Sequence, residues 1–167
     1  LNNTYTQIAK DKIRESIKTN DVMIVETINS LEEIEETTGK LIERLREWTI
    51  TYVPELDKIH NHELYSKIIA LETTRENIKN SSLIENTQIE ILDSNDVEMT
   101  EEDLSIIKEF ATSIYSLYQT KNTLEEFIQN KIKEVAPNLY DVAGANLAAK
   151  LIAQMNGLEQ LSKLPSS

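Results

Sequence analysis

The fold is decided by residues 20–52, which read NDVMIVETINSLEEIEETTGKLIERLREWTITY. Apolar side chains recur there at intervals of three, four or seven residues through more than four heptads, which places them on one face of a helix. Asn20 or Asp21 is predicted to cap the start of this helix. Pro54 is predicted to end it, because proline lacks a backbone donor. The apolar stripe consists of Ile24, Ile28, Leu31, Ile34, Leu41, Leu45, Trp48 and Tyr52.

A second long helix, residues 100–135, is predicted from the same kind of pattern. Thr100 and Asp103 can cap its start, and Pro137 follows its end. Because the two helices are of similar length and carry matching stripes, we expect an antiparallel coiled-coil hairpin. The second stripe consists of Leu104, Ile107, Ala111, Ile114, Tyr118, Ile128, Ile132 and Val135. The residues expected to hold the hairpin are Ile28, Leu31, Leu45, Ile114 and Ile128.

The other segments are assigned around this hairpin. Residues 1–18 are predicted to form a linker helix, and residues 19–136 a coiled-coil domain. Residues 54–99 are too long for a plain turn and are expected to form an insert at the tip. Within this tip insert, a shorter helix is predicted between His60 and Asn80, followed by a polar, mixed segment at 81–99.

The character of the sequence changes at Pro137. Residues 138–157 are rich in small side chains, which let another backbone approach closely. A solvated coiled coil does not require such close packing. Residues 137–167 are therefore predicted to begin a second helical domain. The chain has only three glycines and three prolines, too few for the turns of a β-sandwich or barrel. The predicted fold class is all-α.

Charge and composition exclude several functions. The chain has 29 acidic and 17 basic residues, and its net charge of −12 argues against a general binder of polyanions. Residues 135–167 are neutral, so a nucleic-acid role, if the chain has one, belongs to that end. No cysteine is available for a disulfide or a thiolate site, and the apolar runs are far too short to span a membrane. Because the chain begins with Leu1 and ends in a predicted loop, we expect a piece of a longer protein.

The residues that could carry chemistry have plainer interpretations. His60 and His62 lie near several carboxylates, but residues two apart on a helix face different directions, so solvated histidines are the better interpretation. Paired glutamates are expected on helix surfaces, and no phosphate loop or nucleophile motif is present. We therefore predict no enzyme, no metal and no cofactor. Trp48 fits the apolar stripe, which favours a structural role over contact with a partner.

Two stretches resemble the Nop family, the scaffold proteins of box C/D small ribonucleoproteins. Leu45-Arg46-Glu47-Trp48, followed by Pro54-Glu55-Leu56, is similar to a segment of the family's coiled coil. The run APNL at 136–139, with VAGA at 142–145 and AAKLI at 148–152, is similar to the opening of the Nop domain. The match continues through GLEQLSKLPSS at 157–167. The short connecting segments are most similar to the archaeal form.

The resemblance implies a non-catalytic scaffold that guides RNA 2′-O-methylation. Its expected partners are a second copy of itself through the coiled coil, a box C/D guide RNA, a kink-turn-binding protein, and a fibrillarin methyltransferase held by a domain absent from this chain. Carried over residue by residue, the family's RNA-facing positions are Lys163, Ser166 and Ser167. The implied location is the cytoplasm of an archaeon, or the nucleolus if the source is eukaryotic.

Two positions depart from the family pattern. Thr49 stands where an aromatic residue usually follows the tryptophan, and Val53 where a phenylalanine usually precedes the proline. The segment that normally follows Ser167, Gly-Ala-Glu-Lys, is not in the chain. An alternative stays open: a coiled-coil adaptor that binds a helical protein partner and never meets RNA.

Overall fold

The computed structural model describes residues 2–93 and 96–135, with side chains described from Val22 to Glu134. These residues form helices and the connections between them, with no strand among them, so the all-α prediction is confirmed for this part of the chain. The predicted second domain at 137–167 lies outside the described residues. The elements are helix α1 (Asn2–Thr49), a 3₁₀ helix (Pro54–Lys58), α2 (His62–Leu71), α3 (Arg75–Lys79), α4 (Ser82–Glu85) and α5 (Glu101–Val135).

Helix α1 corrects the predicted start of the first long helix. It runs through Asn20 and Asp21 without interruption, so neither residue caps a helix, and the predicted linker helix is continuous with the long one. Residues 2–20 hold no proline or glycine, and asparagine inside a helix costs only a few tenths of a kcal/mol, about 0.7 at most. A local capping preference is therefore too weak to stop the helix.

The start of α5 agrees with the prediction. The Asp103 backbone N–H donates to the Thr100 hydroxyl at 3.1 Å, and the Thr100 N–H donates to the Asp103 carboxylate at 3.2 Å. This reciprocal pair is a capping box, which satisfies two backbone donors that the first helical turn leaves free.

The chain divides into two compact units. The central unit comprises residues 34–120, and the terminal unit comprises residues 1–33 and 121–167. In the described part of the terminal unit, Ile24 and Ile28 are buried one turn apart on α1, and Ile128 and Ile132 one turn apart on α5. Those pairs have the spacing predicted for the two stripes.

Inside the central unit, α1 and α5 run in opposite directions. The Trp48 ring lies 5.0 Å from the Phe110 ring, and the Thr38 side chain lies close to the Tyr118 hydroxyl. The contacts advance along one helix while they retreat along the other, so the helices are antiparallel here, as predicted. Whether they continue as a coiled-coil hairpin through both units stays a prediction.

The tip insert folds onto this helix pair as part of the central unit. The shorter helix predicted between His60 and Asn80 is present as α2, which ends at Leu71, and a second short helix, α3, begins at Arg75. Thr73 breaks the helix with a φ of 62°, a left-handed conformation that no helix continues through, and the Thr74 hydroxyl caps α3. The core joining the insert to the two helices consists of Ile42, Leu45, Val53, Leu56, Ile59, Tyr65, Ile68, Ile69, Ala70, Ile78, Ile84, Ile91, Ile107, Ala111, Ile114 and Tyr118.

Candidate functional site

The three residues predicted to approach RNA, Lys163, Ser166 and Ser167, lie outside the described residues. Their role stays a prediction. What the structure does describe is the first family-like stretch, residues 45–56, and the way in which it holds the tip insert. The site is therefore built from the two arginines that anchor this insert, Arg46 and Arg75.

Arg46 clamps the start of the tip insert to α1. Its guanidinium lies over the Tyr65 ring, 4.1 Å from the centroid, and its Nη2 donates to the Ile59 carbonyl at 2.6 Å. The Asp57 carboxylate lies 3.6 Å from Nη1. A planar guanidinium can stack on a ring and bond in its own plane at the same time, which a lysine cannot do. One side chain of α1 thus fixes both the 3₁₀ helix and α2.

The ring beneath Arg46 is itself fixed. Tyr65 is buried, and its hydroxyl shares a hydrogen bond with the hydroxyl of Thr49, which donates to the Leu45 carbonyl at 3.0 Å. Burial raises the pKa of Tyr65, so the phenol stays protonated and keeps its donor. The last turn of α1 therefore supplies the partner that a buried tyrosine needs.

Arg75 anchors the other side of the tip insert. Its Nη1 donates to the Glu55 carboxylate at 2.6 Å and to the Leu92 carbonyl at 2.9 Å, while Nη2 donates to the Tyr52 carbonyl at 2.6 Å and to Glu55 at 3.3 Å. The side chains of Arg75 and Glu55 are only 9% and 14% exposed. One guanidinium thus ties together the turn after α1, the 3₁₀ helix, α3 and the chain before α5.

Glu55 stays ionised in this setting. Burial by itself would raise the pKa of Glu55, but hydrogen bonds from Arg75 and the Leu92 N–H, with the positive charge of Arg75, hold that pKa below its ordinary value. A partly buried carboxylate that is bidentate to arginine is a structural tie, since its charge is already neutralised. Sequence reasoning missed this pair. Its members are 20 residues apart, and no periodicity relates them.

The two histidines do not converge. His60 and His62 are both exposed, and His62 Nδ1 lies 3.3 Å from Arg46 Nη2. Over the described ranges, no group of three His, Cys, Asp or Glu side chains is placed to hold a metal ion. Those same ranges contain no helix with the length and apolarity that a membrane crossing requires.

Trp48 departs from the predicted stripe. The buried face of α1 in the central unit runs through Thr38, Ile42, Leu45 and Thr49, whereas Trp48 is 40% exposed and its ring packs beside that of Phe110. The prediction of a structural contact is correct, but the side chain lies at the edge of the core. Part of the side chain remains on the surface.

Comparison with known proteins assigns the chain to a family. The family model for Nop, described as "snoRNA binding domain, fibrillarin", matches residues 30–167. The chain belongs to the Nop family. An uncharacterized NOP5 family protein of Methanocaldococcus jannaschii is 32% identical over 97% of this chain. Nucleolar protein 56 of Dictyostelium discoideum is 28% identical over 95% of the chain, and nucleolar protein 58 of Neurospora crassa 32% over 96%.

This Nop-family chain spans only part of each relative: 41% of the archaeal protein, 32% of nucleolar protein 56 and 28% of nucleolar protein 58. The structure also explains its two departures from the family pattern. Thr49 is buried with its hydroxyl against Tyr65, and Val53 is fully buried in the core. Small side chains at both positions suit the close packing of the tip insert against α1.

Proposed function

We propose that this chain is the self-associating and RNA-recognising part of a non-catalytic scaffold in an archaeal box C/D ribonucleoprotein that guides RNA 2′-O-methylation. The observation that carries the proposal is the Nop family match, which spans residues 30–167 and includes both stretches singled out in the sequence. If the source is archaeal the protein works in the cytoplasm; if it is eukaryotic, in the nucleolus.

The charge distribution supports a division of labour within this scaffold. The central unit has 18 acidic and 8 basic residues, a net charge of −10, whereas residues 135–167 are neutral. The negative central unit repels RNA phosphates, whereas the neutral residues 135–167 do not. We therefore assign the contact with guide RNA and its kink-turn-binding protein to the neutral end, through Lys163, Ser166 and Ser167, and self-association to the long helices.

The test of RNA recognition uses the longer protein that includes the residues after Ser167. Lys163→Glu is compared with Lys150→Glu, which makes the same charge change elsewhere in the neutral end. Binding to a kink-turn RNA already loaded with its kink-turn protein is measured by gel shift across salt concentrations. We expect Lys163→Glu to weaken binding and to lower the salt dependence, because a phosphate contact releases counterions. Equal effects of the two variants would contradict a phosphate contact at Lys163.

Self-association is tested separately, by light scattering on this chain over a dilution series. A dimer at micromolar concentration supports pairing through the long helices. A monomer throughout, together with no affinity of the longer protein for the loaded RNA, would favour the alternative of an adaptor for a helical protein partner. A fibrillarin methyltransferase would bind through a part of the scaffold that this chain does not contain.

A further inference from the structure

An exposed apolar groove lies beside the first turns of α5. It is lined by Trp48, Met99, Asp103, Ile106 and Ile107 and has a volume of about 260 Å³. Trp48 and Ile106 are 40% and 52% exposed, so both offer apolar surface to solvent. The Phe110 ring, 5.0 Å from the Trp48 ring, holds the indole in place, so a partner can cover the exposed part of Trp48 at little cost in conformational entropy. Preformed aromatic surfaces of this kind dominate binding energy at protein interfaces.

The rim of this groove is acidic. Glu102 and Glu109 lie one helical turn before and after Ile106, and both are exposed. Asp103 lies in the groove itself, and residues 98–103 carry four carboxylates without one lysine or arginine.

The nearest cation on α1 does not offset this charge. Arg44 lies one turn before Trp48, and its guanidinium is paired with the Glu47 carboxylate at 2.8 Å. The surface beside Trp48 and Ile106 is therefore an apolar strip with a negative border.

We propose that this groove binds a basic amphipathic segment of a partner protein. Its aliphatic side chains would cover Trp48 and Ile106, and its lysines or arginines would face Glu102 and Glu109. Charge complementarity selects this occupant over two others. A second copy paired through this groove would set one acidic rim against the other, and RNA would bring phosphates. The proposal is independent of RNA recognition at the neutral end.

Trp48 is the one tryptophan of the chain, so its fluorescence reports the occupancy of the groove directly. The probe is a 16-residue peptide of leucine and lysine with helical spacing, compared with the same peptide carrying glutamate in place of lysine. We expect the lysine peptide to shift Trp48 emission to shorter wavelength and to saturate at micromolar concentration. The glutamate peptide should leave the emission unchanged. Rising salt should weaken the lysine complex.

Matched variants locate the binding. Ile106→Ser should raise the dissociation constant about tenfold, since it removes apolar surface at the groove. Leu71→Ser is its control, because Leu71 is 53% exposed and lines a different depression; its effect should stay below about twofold. Circular dichroism checks that both variants fold. If Ile106→Ser does not fold, Ile106→Ala is used in its place, because alanine favours helix.

A charge comparison completes the test. Glu102→Gln combined with Glu109→Gln should weaken binding about three- to tenfold, the effect of two surface charge contacts. Glu32→Gln combined with Glu33→Gln removes the same charge from exposed positions elsewhere and should have a much smaller effect. Equal binding of the two peptides, or equal effects of Ile106→Ser and Leu71→Ser, overturns the proposal. A change in both Trp48 emission and mass with chain concentration alone would identify a second copy as the occupant and also overturn the proposal. Displacement of the peptide by an RNA oligonucleotide would overturn it as well.

Discussion

Replacing Arg75 by alanine should destabilise the central unit more than any surface substitution. The variant removes four hydrogen bonds: two to the Glu55 carboxylate, one to the Leu92 carbonyl and one to the Tyr52 carbonyl. It also leaves Glu55 ionised in a site where its side chain is only 14% exposed. Removing one partner of a buried ion pair typically costs about 3–5 kcal/mol. Because Glu55 keeps some solvent contact, we expect the lower end of that range, about 3 kcal/mol.

The measurement is urea unfolding followed by Trp48 fluorescence and by circular dichroism, which report the central unit and total helix respectively. Arg75→Lys should cost about 1–2 kcal/mol, since it keeps the charge and loses the bidentate geometry. Lys40→Ala is the control: its pair with Glu36 is exposed on both sides, and its loss should cost no more than about 0.5 kcal/mol. An Arg75→Ala cost as small as that of Lys40→Ala would refute the view of Arg75 as an anchor.

The pH dependence gives an independent check on the same pair. The folded-state pKa of Glu55 is held below its ordinary value of 4.5, so its ionised form favours folding. That contribution is present in full above the unfolded pKa and is lost as pH falls through the folded pKa. The stability difference between wild type and Glu55→Gln should therefore be largest near neutral pH and shrink below about pH 4.5. A difference that stays constant down to pH 3 would show that the carboxylate charge contributes nothing.

Three further predictions concern single contacts. Thr100→Ala removes the hydroxyl that accepts from the Asp103 N–H at the start of α5 and should lower the free energy of unfolding by about 1 kcal/mol in urea titrations, whereas Ser105→Ala, an exposed position of the same helix, should change it little. Tyr65→Phe leaves the buried Thr49 hydroxyl without its phenol partner and should cost about 1 kcal/mol, with no loss of helix by circular dichroism. Gln88→Gly should raise the free energy of unfolding by about 0.5 kcal/mol and so raise the melting temperature slightly. Gln88 has a φ of 58°, a left-handed conformation that glycine adopts more readily than glutamine. A lower melting temperature would contradict the assignment of strain to that position.

Most of the helical architecture could be predicted from the sequence because it is set by local periodicity. The start of α5 was predictable to the residue, since a capping box needs two side chains three positions apart. The start of α1 was not, because a capping preference at Asn20 cannot outweigh the continuity of a helix without a breaker. The break at Thr73 could not be predicted either, because the helix stops there without a proline or a glycine. Threonine rarely adopts a left-handed conformation, and at this position its hydroxyl donates to the Ile69 carbonyl at 2.8 Å.

The anchors of the tip insert could not be predicted at all. Arg46 and Glu55 stood out as parts of a family-like stretch. The spacing of residues in the sequence, however, predicts neither the ring that Arg46 stacks on nor the arginine that pairs with Glu55. Both partners come from the insert, whose path depends on the packing of the whole unit. The buried face at the end of α1 also differs from the predicted stripe by one position. Thr49 faces the core beside Tyr65, and Trp48, predicted on the stripe, lies at the edge of the core.

That shift connects the tip insert with the groove proposed above. A small residue at 49 allows Tyr65 to approach α1, and Tyr65 supports Arg46, which fixes the 3₁₀ helix. With its inner face filled by Tyr65 and the insert, the last turn of α1 presents Trp48 sideways toward α5, against Phe110 and beside Ile106. An aromatic residue at 49 would displace Tyr65 and reorient this turn. Thr49→Phe should therefore destabilise the central unit by about 1–3 kcal/mol, the usual cost of overpacking, and change Trp48 emission even before a partner is added. Unchanged stability and emission would show that Thr49 and the groove are independent.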